Sequence, residues 1–248
     1  MNDRTVTFDF HNTLAECPEW FELEVRRLPS SFLTWWSGTR GGFVSPGAGE
    51  EADGRYRQLR HEIIDHGNEL TAEESLQVVF TVMSIAVPDG AIRDGVETLM
   101  RGALAGASPV AGAVESVHAL HGAGVSIGVV SSAVYHPFLE WTLEKFGIRH
   151  LFRVIVTSAS AGFYKSRPEI YLHAADALGA NPARVVHIGD SLRFDVGGAR
   201  RAGMGTVWLK HDANAHDDGA IVPDLTLLTL EASHLAILHL LSSRDAYA

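Results

Sequence analysis

Apolar residues in this chain gather into short β-branched runs at residues 5–8, 125–130, 154–157, 185–188 and 206–209. Continuous Val/Ile runs of this length, bounded by turn residues, predict strands of a parallel sheet covered on both faces. Between the later runs the apolar spacing becomes helical, over 112–121, 137–146, 168–178 and 194–202. Most of these segments are followed by glycine (Gly122, Gly147, Gly179, Gly203), the residue favoured by a left-handed C-terminal cap. Strand–helix alternation predicts βαβ units and, from them, an α/β fold with a doubly wound, Rossmann-like parallel sheet. Residues 225–241 read as a last strand and a closing amphipathic helix.

The first two strands stand about a hundred residues apart, several times the other intervals. That is too long for a crossover and predicts an inserted unit. Its opening carries Trp20, Trp35 and Trp36, and residues 56–70 and 71–84 have helical apolar spacing. Residues 38–54 hold six glycines without periodicity and read as a mobile loop. The small-residue stretch 102–109 reads as a hinge, with a second just after Thr13.

Composition narrows the function. Apolar residues are 46% and charged residues 20% of the 248, a globular balance that excludes disorder. The net charge of −10 argues against a main role in neutralising nucleic acid or an anionic membrane surface. Cys17 is the single cysteine, so neither an intrachain disulfide framework nor a cysteine-rich zinc site can form. The longest apolar stretch, 124–130, falls far short of the roughly 18–20 residues that cross a bilayer, and the opening MNDRTVTF lacks a basic-then-apolar leader. A soluble cytoplasmic protein without nucleic-acid or membrane partners is expected.

In an open parallel sheet, reactive groups collect beyond the carboxyl ends of the strands. Four polar clusters fall there: Asp9 to Thr13, Ser131-Ser132, Lys165, and Gly189 to Asp195. Each has an ordinary structural explanation, since Asp9 could end a strand in a turn, and Ser131 and Asp195 could cap helices. Together they bring a nucleophilic carboxylate, a hydroxyl, an ammonium and a second carboxylate pair, a set suited to a phosphoryl group. Lys165 stands out further because the chain has three lysines against seventeen arginines.

The segments TFDFHNTL, GVVSS, YKSRPEIY and IGDSLRFDVGGARRAGM, in this order, resemble the four motifs of the haloacid dehalogenase superfamily, in the branch with a helical cap inserted after the first strand. The resemblance implies a catalytic core of residues 1–15 and 109–248 and a cap of residues 16–108. It implies that Asp9 attacks phosphorus and forms an aspartyl-phosphate. Mg²⁺ would be held by Asp9, Asp190 and the backbone carbonyl of His11, with Asp195 at the edge of the cation shell. Lys165 would neutralise the nucleophile and Ser131 would donate to a phosphoryl oxygen. Thr13 would order the loop and, with Ser132 and Arg40, contribute to substrate binding. The implied activity is hydrolysis of a small phosphorylated metabolite, with a homodimer as one option for assembly. Which of Arg26, Arg27, Arg40, Arg55, Arg57 and Arg60 faces the site stays open.

His11 departs from the pattern, because phosphatases of this family usually place a second aspartate there. Beside a cation and Lys165 a neutral imidazole is favoured, which suits water activation better than protonation of a leaving group. Acid/base work and mere space filling both stand as readings of His11. A 2-haloacid dehalogenase is the alternative activity, supported by His11, by Tyr171 six residues after Lys165, and by Arg40 at 31 residues after Asp9. The intact Gly189-Asp190 pair opposes it. A binding or regulatory protein with weakened chemistry is the third reading. His136 is expected to line the pocket, and His118, His121, His234 and His239 to be packing or surface residues.

Overall fold

The structure, a computed structural model, describes residues 4–211 and 220–245. Its strands are β1 (Thr5–Phe8), β2 (Ala15–Glu16), β3 (Ser108–Pro109), β4 (Ser126–Ser131), β5 (Val154–Thr157), β6 (Val185–Gly189), β7 (Gly205–Leu209) and β8 (Leu225–Leu227). Six of them form one parallel sheet in the order β5-β4-β1-β6-β7-β8. Phe8 at the end of β1 pairs with Val129 of β4 and Ile188 of β6, so the winding reverses beside β1 and a crevice opens at its carboxyl end. The β1 side chains alternate: Val6 and Phe8 join the main apolar core, while buried Thr7 hydrogen-bonds His187 Nδ1 through its hydroxyl at 2.9 Å.

The insert between β1 and β4 consists of α1 (Pro18–Glu22), α2 (Leu28–Arg40), α3 (Ala48–His66), α4 (Ala72–Val82) and α5 (Asp89–Ala103), with a π-helical turn, Leu23–Arg27, joining α1 to α2. The two passages between sheet and insert run side by side, because β2 pairs with β3 in antiparallel fashion. The loop expected over 38–54 shrinks to 41–47. Helix α3 begins before Gly49 and Gly54 because Ala48, Ala52, Tyr56, Arg60 and Ile63 bury one continuous stripe, which outweighs the roughly 1 kcal/mol helix cost of each glycine. It also stops at His66, with Gly67 in the left-handed conformation at φ 78°, earlier than the expected residue 70. Helix α4 starts on a capping box in which the Glu74 amide donates to Thr71 Oγ1 at 3.1 Å and the Thr71 amide donates to Glu74 Oε2 at 2.8 Å.

Helix α5 lies where glycines 90, 95 and 102 hide a regular apolar spacing, with Ile92, Val96, Met100 and Ala103 buried. A Cβ on Gly95 would overlap the Phe32 ring, so this glycine marks close packing of α5 on α2. The stretch expected to be a hinge is held firmly. Lys145 Nζ donates to the carbonyls of Leu104, Ala105 and Ala107 at 2.9, 3.0 and 2.7 Å.

Helices α6 (Ala113–Gly122) and α7 (His136–Lys145) share the main core with Phe8, Ile127 and Val129, as does the helix after β8. On the other face, short α8 (Ser158–Ala161) leads to α9 (Glu169–Leu178) and α10 (Gly197–Arg201), which pack with Val130, Val156 and Val185 in a second cluster. The chain closes with α11 (His234–Asp245), whose Ile237 and Leu241 are buried. Helices on both faces make the core doubly wound, with a helical cap formed by the insert. Trp20 ties the two parts together, stacking on Phe138 of α7 with ring centroids 5.1 Å apart. Among the described residues no helix is long and apolar enough to cross a membrane.

Candidate active site

The Asp9 amide donates to the Ile188 carbonyl at 2.8 Å, extending the ladder one residue past β1 and fixing Asp9 at the carboxyl end of the sheet. The chain then turns sharply. The amides of Thr13, Leu14 and Ala15 all donate to the Phe10 carbonyl, at 3.3, 2.9 and 3.0 Å, and Asn12 takes a left-handed φ of 59°, a conformation its short polar side chain tolerates. This turn delivers His11 and Asn12 to the cavity wall. From β6 the chain passes through Asp190 into a π-helical turn, Leu192–Val196, that carries Asp195 back over the end of the strand. A Cβ on Gly189 would overlap the Asp195 carboxyl, so that position requires glycine. Ser131 and Ser132 come from the end of β4, and Lys165 from the loop between α8 and α9.

Asp9, His11, Ser131, Ser132, Lys165, Asp190 and Asp195 line one cavity of about 370 Å³ between sheet and cap. Carboxylate oxygens of Asp9, Asp190 and Asp195 lie within 4.8 Å of one another. Lys165 Nζ donates to Asp9 Oδ1, and to Asp195 Oδ1 at 2.6 Å. Asp195 is further engaged by His187 Nε2 at 3.2 Å and by the Ser191 amide at 2.9 Å. Burial would raise the Asp195 carboxyl, but Lys165 and the His187 hydrogen bond outweigh it and hold this acid well below the usual carboxylate range. Asp9 and Asp190 are pushed up, first by burial and then by their acidic neighbours, although Lys165 pulls in the opposite direction. Lys165, despite burial, is held above its ordinary range by Asp195 and Asp9.

Three carboxylates, those of Asp9 and Asp195 buried and that of Asp190 half-buried, thus face one ammonium. The surplus of clustered anionic oxygen fits a hard divalent cation of the Mg²⁺ type, and no softer donor is among the clustered groups. The His11 ring is outside this cluster. It stacks on Phe21 with centroids 4.5 Å apart and an interplanar angle of 14°. Burial lowers it to about 4, so the imidazole is neutral because it is desolvated, and not because Lys165 repels its proton.

Three expectations fail. Arg40 ends helix α2 instead of sitting in a glycine loop, so its side chain projects to the surface, pairs with Asp94 at 2.7 Å and is absent from the cavity wall. Thr13 is fully buried behind the turn with its hydroxyl unpartnered and does not line the cavity. His136 turns away, its Nδ1 3.2 Å from Thr157 Oγ1. Of the cap arginines, Arg60 lines the cavity, where it forms a two-pronged pair with Glu69 at 2.5 and 3.1 Å. Sequence reasoning also missed Trp20, Phe21, Glu24, Tyr164 and Phe194 in the wall. A signal existed for Arg60, a charge on the apolar stripe of Ala52 and Tyr56. A larger cavity of about 930 Å³ lies near the amino ends of the strands, lined by Thr5, Ser126 and Arg184 among others. It lacks the acidic cluster.

A family model for haloacid dehalogenase-like hydrolases matches residues 4–203. A glyceraldehyde 3-phosphate phosphatase from Methanopyrus kandleri is 39% identical over 88 residues, 35% of this chain and 37% of that protein. The Escherichia coli pyrimidine 5'-nucleotidase YjjG is 30% identical over 125 residues, 50% of this chain and 54% of that protein. These matches therefore span about a third to a half of the relatives' length. Among solved structures, a HAD phosphatase from Thermococcus onnurineus has a TM-score of 0.64 at 22% identity, covering 95% of this chain and 97% of its own. A 2-haloacid dehalogenase from Pseudomonas syringae pv. Tomato DC3000 has a TM-score of 0.68 at 17% identity, covering 95% and 98%. At these identities the structural likeness speaks for the fold alone, and it embraces both activities. With the family match covering most of the chain and the fold in agreement, this chain belongs to the haloacid dehalogenase-like hydrolases.

Proposed function

We propose that the protein is a Mg²⁺-dependent phosphatase of small phosphomonoesters that works through a phosphoenzyme on Asp9. The observation that carries this reading is the Lys165 ammonium shared between Asp9 and Asp195, with Asp190 in the same cluster. The ammonium orients Asp9 and offsets charge where a phosphoryl group would enter. Asp195, locked by His187 and the Ser191 amide, acts as the anchor that holds Lys165 in place. A bound Mg²⁺, held by Asp9, Asp190 and the His11 carbonyl, would offset the remaining negative charge and polarise the phosphoryl oxygens.

In the first step an Asp9 oxygen forms a bond to phosphorus as the ester oxygen departs, taking its proton from solvent. In the second, water attacks phosphorus as the Asp9 oxygen–phosphorus bond breaks, freeing the carboxylate and inorganic phosphate, and neutral His11 accepts the proton that water loses and passes it to solvent. Ser131 and Ser132, both on the cavity wall, would donate to the phosphoryl oxygens. Residues 16–108 would close over the substrate as the cap. A cytoplasmic setting is supported by the acidic net charge and the single, buried Cys17.

The dehalogenase alternative loses its arginine, because Arg40 is bound to Asp94 on the surface. Asp190 beside Asp9 would also repel a carboxylate substrate. The test is phosphate release from p-nitrophenyl phosphate. We expect release with Mg²⁺, loss on adding EDTA, and loss in Asp9→Asn with an unchanged circular dichroism spectrum. Halide release from a 2-haloacid that survives EDTA would overturn the reading.

A further inference from the structure

Six buried side-chain atoms among the described residues lack a hydrogen-bond partner, and three of them, His11 Nδ1, Trp20 Nε1 and Glu24 Oε2, belong to residues lining the candidate site. Buried polar atoms are seldom left unpaired, so their gathering around one cavity points to partners supplied by a ligand. His11 already has a role in the reading above. Trp20 and Glu24 do not.

These two residues stand four apart across α1 and the π-helical turn, on one helical face. Both are held rigidly. The Trp20 ring stacks on Phe138 and is 1% exposed. Glu24 is 3% exposed; its Oε1 accepts the Val134 amide at 2.7 Å, and its backbone carbonyl accepts the Tyr56 hydroxyl at 2.7 Å. Arg60, the charged cap residue nearest in function, commits both terminal nitrogens to Glu69. The surrounding wall is apolar, with Phe21, Val25 and Ile64, and suits a short carbon skeleton.

Resting on the phosphatase reading, we propose that Trp20 Nε1 and Glu24 Oε2 bind a hydroxyl on the leaving-group side of the substrate, so that the enzyme selects phosphate esters of polyols over those of simple alcohols. A hydroxyl has the chemistry for both atoms, since it can accept from an indole N–H and donate to a carboxylate. Burial pushes Glu24 up to about 8, so either protonation state can occur near neutrality, and a hydroxyl answers both because it donates and accepts. An ammonium group would leave the indole N–H without an acceptor. A second carboxylate would add negative charge to a cavity that already holds Asp9 and Asp190.

The test compares kcat/KM for glycerol phosphate and propyl phosphate, with p-nitrophenyl phosphate as a reference. The wild type should prefer glycerol phosphate by about 10²-fold, because a site built to bind a hydroxyl rejects the analogue lacking it. Glu24→Met should bring the ratio below about threefold, while Glu24→Gln, which keeps the Val134 bond and a polar partner, should retain most of it. A merely structural role for Glu24 would lower both esters alike and leave the ratio unmoved. If Glu24→Met does not fold, Trp20→Phe serves instead, since loss of the indole N–H alone should lower the ratio about fivefold. A wild-type ratio near one, or a ratio preserved in the variants, overturns the inference while p-nitrophenyl phosphate is still cleaved. Failure to release phosphate from any ester overturns the phosphatase reading beneath it.

Discussion

At the residue scale the site turns on how few cations serve it. Lys165 is one of three lysines in the chain, and its ammonium touches two of the three clustered carboxylates. His11 adds no positive charge, because burial lowers it to about 4. A neutral imidazole can take a proton from water but has none to give a departing alcohol, so its contribution belongs to the second step. With p-nitrophenyl phosphate, which needs no acid, His11→Ala should therefore keep the initial burst of nitrophenol while steady turnover falls about 10²-fold. A burst that disappears would assign His11 to the first step, and an unchanged steady rate would leave it as a packing partner of Phe21.

At the scale of elements, Gly95 shows a helix shaped by its neighbour. Its missing side chain makes room for Phe32 and Trp35, so α5 lies close against α2. Gly95→Ala gains up to about 1 kcal/mol of helix propensity but forces a methyl into that seam, at a cost of about 1–3 kcal/mol. Urea denaturation should show a net loss of stability, and a gain would mean that the Phe32 ring yields. No helix was expected over α5, because its three glycines dilute the apolar period that Ile92, Val96 and Met100 keep. The central strands were legible because parallel strands buried on both faces are written as unbroken β-branched runs, and β1 and β5 have the predicted bounds. The two-residue strands β2 and β3 carry too few positions for any period to register. The charged ends of the site were legible as clusters after strand ends. Its apolar wall was not, since Trp20 and Phe21 look like any cap core until the helices are placed, and Arg40 was misplaced in a glycine loop that starts only after it, at residue 41.

At the scale of the whole molecule, the surplus acidity of one cluster should be felt as stability. A cation bound by the folded state alone stabilises it by about 2.7 kcal/mol at a hundredfold excess over Kd, which shifts Tm by several degrees in a protein of this size. Mg²⁺ should raise Tm in thermal denaturation, and Asp190→Asn should remove the shift. An equal rise in both proteins would show that the cation binds elsewhere.

Lys145 bears on how the two halves can move. Its ammonium gathers three carbonyl dipoles of the returning chain, those of Leu104, Ala105 and Ala107, onto the end of α7. Residues 104–107 are thereby an abutment fastened to the last residue of α7, which puts the pivot for any swing of the five cap helices on this side upstream of Leu104.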